Sequence, residues 1–143
     1  MGRALLLLFT GLALVFSLCG CTTPKSFVKS QEPTWVTIEL RDDLPYDKAW
    51  ASVVDIMVKR FDMEVLSKED GYARTNWLYT WTGEMNENYR VRSTAKFSPD
   101  KTRVELKAEA EYGGPGAWVK GYDSRLLETM KSDIMGTVGR TTR

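Results

Sequence analysis

Histidine is absent from all 143 residues. A serine-histidine triad, a cysteine-histidine pair and an imidazole metal site are therefore excluded, and with them the commonest hydrolase mechanisms. Cysteine occurs only as Cys19 and Cys21, so nothing after residue 21 can build a disulfide framework or a thiolate metal site. A charge excess is missing too, with 20 Lys and Arg against 19 Asp and Glu. Nucleic-acid binding draws on a basic excess that releases counterions from phosphates, and this chain offers none. Long apolar runs are scarce: only Ala4 to Leu18 qualifies, and Thr10, Gly11 and Ser17 interrupt it. That stretch is shorter than the ~18 residues of a membrane span.

What is present at the start has the build of a secretory signal: Arg3 supplies the positive n-region and the apolar stretch follows. Leu18-Cys19-Gly20-Cys21 resembles the lipobox of bacterial lipoproteins, in which a small residue at the cut precedes a cysteine. The thiol can be alkylated by a diacylglycerol donor, and the thioether survives removal of residues 1 to 20. Cys19 is the poorer acceptor, because Leu18 would then fill the small-residue position. The lipid bilayer is thus an expected partner through acylated Cys21, since two acyl chains at about 0.8 kcal/mol per buried CH₂ hold a protein on a membrane. Gly2 is no myristoylation site, the sixth position being Leu6. Thr22 stands where an inner-membrane retention signal would carry Asp, which favours the outer membrane, facing the periplasm. Loss of residues 1 to 20 removes Arg3, their one charged residue, and leaves a neutral mature chain.

Residues 21 to 33 read as the lipidated cysteine and a short tether, polar and bounded by Pro24 and Pro33. At about 3.3 Å per residue the tether reaches about 40 Å. Residues 34 to 143 read as one domain. Thr34 to Leu40 alternates with period two and predicts a strand; Pro45 to Phe61 switches to three- and four-residue steps and predicts an amphipathic helix. Met63 to Ser67 predicts a strand, Lys68 to Gly71 a turn, Ala73 to Trp81 a long strand, and Tyr89 to Phe97 another. Ser98 to Lys101 marks a hairpin turn, followed by a strand with Val104, Leu106, Ala108, Ala110 and Tyr112 inward. After Gly113 to Gly116, the stretch Tyr122 to Val138 predicts a second helix. The order βαββββα makes an α+β fold: a two-layer antiparallel sheet with two helices packed on one face.

Three constellations could carry function. Glu105, Glu109 and Glu111 lie at even spacing on one strand face, where a carboxylate pair could in principle do glycosidase chemistry on peptidoglycan. Arg90, Arg92 and Lys96 on the neighbouring strand favour a face of cross-strand ion pairs instead. Trp77, Tyr79 and Trp81 form an aromatic stripe, read as core beneath the first helix with Trp50 and Phe61 as packing partners. Trp118 sits in a small-residue loop between Tyr112 and Tyr122. These three are the candidate partner-contact residues, with Trp118 either a protein or membrane-interface anchor or a lid over the helix ends. No cofactor and no metal site is expected, and Gly113-Gly114-Pro115-Gly116 is no phosphate loop, because Pro115 removes a backbone donor and no Lys-Ser or Lys-Thr follows.

Leu44-Pro45-Tyr46-Asp47-Lys48-Ala49-Trp50, then Gly71-Tyr72 and Trp77 after a lipobox, resembles the BamC (NlpB) type of outer-membrane lipoprotein. The resemblance covers roughly residues 34 to 139 and implies a helix-grip fold and a role in outer-membrane protein assembly. The chain departs from that family, which carries two such domains and a long N-terminal segment that contacts its partner. Taken together, the expectation is a membrane-anchored, non-enzymatic interaction module belonging to an envelope protein complex. A carrier holding an apolar ligand between helix and sheet is the alternative, and a peptidoglycan enzyme a distant third.

Overall fold

The computed structural model describes residues 23–79 and 87–141. Its centre is the hairpin of β5 (Tyr89–Phe97) and β6 (Arg103–Tyr112), whose side chains alternate between the two faces, with Thr94 buried as well. Tyr89, Val91, Ser93, Ala95 and Phe97 of β5 and Val104, Leu106, Ala108 and Ala110 of β6 are all buried on one face, as period two dictates. The Ser98–Thr102 turn closes the hairpin through Asp100, whose carboxylate accepts from Ser98 Oγ (2.6 Å) and Thr102 Oγ1 (2.8 Å). Those hydroxyls pull the Asp100 carboxyl down to about 2.

Around this pair stand β1 (Phe27–Lys29), β2 (Val36–Glu39), β3 (Met63–Ser67), β4 (Tyr72–Thr75) and β7 (Val119–Asp123). The sheet is antiparallel throughout, in the order β1-β7-β6-β5-β4-β3, and β2 pairs with the other half of the β6 edge that β7 uses. Two helices, α1 (Tyr46–Val58) and α2 (Ser124–Val138), cover the apolar face. Ala49, Trp50, Val53, Ile56 and Met57 of α1 and Leu126, Leu127, Met130, Ile134 and Val138 of α2 are buried against it. The fold is the expected two-layer α+β arrangement. No helix among the described residues is long and apolar enough to cross a membrane.

Three elements differ from expectation. The stretch read as tether contributes β1, whose three residues are too few for a period to show. The second helix begins at Ser124 rather than Tyr122, because the glycine-rich loop turns the chain back beside β6 and Val119–Asp123 pairs there as β7. The strand expected over 73 to 81 stops at Thr75. Asn76 N–H donates to Asp62 O (2.8 Å), and Leu78 then exchanges bonds with Val91 (2.8 and 3.0 Å). Thr75 and Leu78 thus both face the helices across a three-residue step, and this extra residue inverts the alternation. Trp77, expected in the core beneath α1, emerges on the opposite face; Trp81 lies outside the described residues.

Asp123 ties the edge of the sheet to α2. Its fully buried carboxylate accepts from Leu126 N (2.7 Å) as the helix N-cap, from Ser26 Oγ (2.7 Å) and from the Tyr89 hydroxyl. Burial first, then the bond to Asp123, pushes the Tyr89 phenol up, so it stays a donor. Asp123→Ala removes the cap and orphans a buried hydroxyl. The expected cost is about 2–4 kcal/mol of unfolding free energy by urea titration, with Asp123→Asn losing less because its amide oxygen still caps. A loss below about 0.5 kcal/mol for Asp123→Ala would contradict this role.

Candidate functional site

The face of the sheet turned away from the helices carries the polar positions of β5 and β6. Antiparallel register sets Arg90 opposite Glu111, Arg92 opposite Glu109 and Lys96 opposite Glu105. Arg90 Nε donates to Glu111 Oε2 (2.7 Å), while Arg92 grips Glu109 with a fork, Nε to Oε2 at 2.9 Å and Nη2 to Oε1 at 3.3 Å. Glu64 on β3 extends the ladder through Arg74 (2.8 Å). The Glu64, Glu109 and Glu111 carboxylates are occupied as acceptors. Burial pushes the Glu109 carboxyl up, but Arg92 and Lys107 outweigh it and hold it below the usual carboxylate range. A glycosidase acid needs the reverse, a carboxyl kept protonated.

Aromatic rings lie across this charged ladder. The Arg90 guanidinium stacks over Trp77 at 4.4 Å and over Trp118 at 4.3 Å, and Arg92 stacks over Trp77 at 4.4 Å. Arg90 Nη1 also donates to the Tyr79 hydroxyl (3.3 Å), and the Tyr79 and Trp118 rings are 6.5 Å apart. Further along, Lys107 Nζ sits 5.0 Å from the centre of Trp35. Cation-π contacts of this kind strengthen as water is excluded. Beside the stack, a cavity of about 220 Å³ opens between Trp77, Arg92, Glu109, Glu111, Lys120 and the crossing segment Ser30–Pro33.

The candidate contact residues do not form one patch. Trp118 is half-buried on the outer face over Arg90 rather than a lid over the helix ends. Tyr112 is half-buried near the helix side, its ring 6.2 Å from Phe27. Tyr122 lies in β7 opposite Glu109. Cys21, the expected lipidation site, is outside the described residues. Trp118 has instead gathered Tyr79, Arg90 and Trp77, a grouping that sequence alternation concealed because Trp77 had the wrong parity. Among the described residues no cluster of three or more Cys, Asp or Glu could hold a metal ion.

Compared with known proteins, the chain matches no family model and no curated protein sequence.

The depressed Glu109 carboxyl fixes the sign of a pH effect. Its pair with Arg92 adds stability above the unfolded value of about 4.5, and that stability is lost as pH falls through the lower folded value. Glu109→Gln should cost about 1–2 kcal/mol at pH 7 in urea titrations. The gap from the unsubstituted protein should close as pH drops below about 4.5; a gap that widened with acid would contradict the pairing.

Proposed function

We propose that this chain is an envelope lipoprotein, anchored to the outer membrane through lipid on Cys21, whose domain is a non-enzymatic interaction module. The surface used is the outer sheet face around Trp118, Tyr79, Trp77 and Arg90. The observation that carries this reading is the cation-π stack itself. Tryptophan, tyrosine and arginine are the side chains that dominate interface energies once desolvated. Held against one another, they have little rotamer freedom left to lose on binding. The arginines under the rings are already paired, Arg90 with Glu111 and Arg92 with Glu109, so a partner covering the stack does not bury a lone guanidinium there.

Two observations weigh against the other readings. Two of the three glutamates that a peptidoglycan hydrolase would draw on are paired with arginines, Glu111 with Arg90 and Glu109 with Arg92. An apolar ligand between helix and sheet could have been lined by the Trp77 stripe, but Trp77 is on the other face. Beneath α1, Trp50, Val53, Met57 and Phe61 are buried in one cluster with Phe97 and Leu106, and the Trp50 and Phe97 rings are 5.9 Å apart. The lipobox and the resemblance to BamC-type lipoproteins direct the proposal toward a complex that assembles outer-membrane proteins.

Cross-linked recovery of the lipoprotein from its own membranes tests this, with Cys21→Ala and Trp118→Ala beside it. The expected result is stoichiometric recovery of an envelope protein, lost in Cys21→Ala and reduced at least tenfold in Trp118→Ala. The Trp118→Ala domain should lose only the about 0.5–1 kcal/mol of an exposed cation-π contact. Undiminished recovery with Trp118→Ala, or a stability loss of several kcal/mol, would make Trp118 a structural residue and overturn the assignment.

A further inference from the structure

Strand β1 is seated on the sheet in an unusual way. It is three residues long, pairs only with β7, and no residue in it is fully buried. Phe27 provides its side-chain anchor, with its ring 6.0 Å from Tyr89 and 6.2 Å from Tyr112. Gly121 on β7 makes the slot: a Cβ there would run into the Val28 carbonyl oxygen and approach the Phe27 ring to 2.7 Å. Backbone bonds fix the register at both ends, Ser124 N to Ser26 O at 2.8 Å and Ser30 N to Lys120 O at 3.3 Å.

Strand β1 adds one partly buried side chain, Phe27, to the margin of the core. Among the described residues, every fully buried apolar side chain lies at or beyond Ile38. Asp123 keeps Tyr89 and the Leu126 amide if Ser26 leaves, so the cap on α2 survives. Removing β1 would leave β7 as a sheet edge with free donors and acceptors and an open slot above Gly121. Main-chain pairing plus one side-chain pocket is how strand addition recognises extended peptides.

From this geometry we infer that the outer edge of β7 is a strand-addition site, occupied in the same chain by β1 and open to an extended segment of a partner protein bearing an aromatic side chain at the Phe27 position. The exchange would also change reach. Six residue steps lead from Cys21 to Phe27, about 20 Å at full extension. Fifteen steps lead from Cys21 to Val36 at the start of β2, about 50 Å. This gain rests on the lipidated Cys21 proposed above, whereas the strand site does not. The mass of the mature protein separates the two, because a chain without acyl groups ends the reach argument and leaves the strand site to its own test.

That test uses the full-length protein in detergent and a fluorescent peptide, Lys-Ser-Phe-Val-Lys-Ser, copying residues 25 to 30. Phe27→Ala, which weakens β1, should bind the peptide at least tenfold more tightly than the unsubstituted protein. A Val28→Cys/Tyr122→Cys disulfide, closing two residues that face each other in register, should abolish binding. Hydrogen exchange on the unsubstituted protein stands independently of either variant. The amides of Ser30 and Ser124 should exchange at least a hundredfold faster than those of β5 and β6. Exchange as slow as in β5 and β6, or peptide binding unaffected by the lock, would overturn the proposal. A dimer formed by the unlocked protein alone would likewise overturn it, by assigning the slot to β1 of a second copy.

Discussion

The pairing of β5 with β6 is the constraint on which everything else rests. Nine residues of β5 face nine of β6 without a break, from Tyr89 opposite Tyr112 to Phe97 opposite Val104. A slip of one residue would carry Arg90 and Arg92 into the apolar layer and Val91 and Ala95 out of it. Register is therefore enforced from both sides: by the packing of α1 and α2 on one face and by arginine-glutamate forks on the other. Asp100 in the turn pins the same register at its closed end. The outer face is thereby held in one register by the domain's own pairing.

The β7 edge is organised differently. Here a buried carboxylate, not a long ladder, joins the parts. Burying Asp123 would be costly without donors, and it has three: a helix amide, a phenol and the Ser26 hydroxyl. Two of those donors belong to the body of the domain and one to the segment just before β1. The molecule thus combines a central hairpin of nine paired residues with a first strand of three. The two proposed surfaces divide along that line, the stacked outer face over the hairpin and the strand slot at the sheet's margin.

Much of this was legible in the residues. Period two runs unbroken through Tyr89 to Phe97 and through Val104 to Ala110, so the hairpin, its inward face and its arginine-glutamate face could all be read directly. The helical steps of Ala49, Trp50, Val53 and Met57 were equally plain. What escaped reading had physical reasons. Three residues of β1 carry no period. Gly121 and Lys120 disguise β7, and Tyr122 suits a strand or a helix. The inversion at Asn76 is a backbone event, a bond to Asp62 O that adds one residue to the step, and no side-chain pattern announces it. Because Trp77 lies just beyond that step, the stack of Trp118, Arg90, Trp77 and Arg92 was visible only in three dimensions.

The central claim is that the sheet's outer face, and not the helical layer, meets the partner. The most direct measurement places a photo-reactive amino acid at Tyr79 on the outer face or, in a separate protein, at Val58 on α1, both of them exposed, and irradiates intact cells. The account predicts a covalent adduct with an envelope protein from position 79 and none from position 58. An adduct from position 58 with none from position 79 would contradict it.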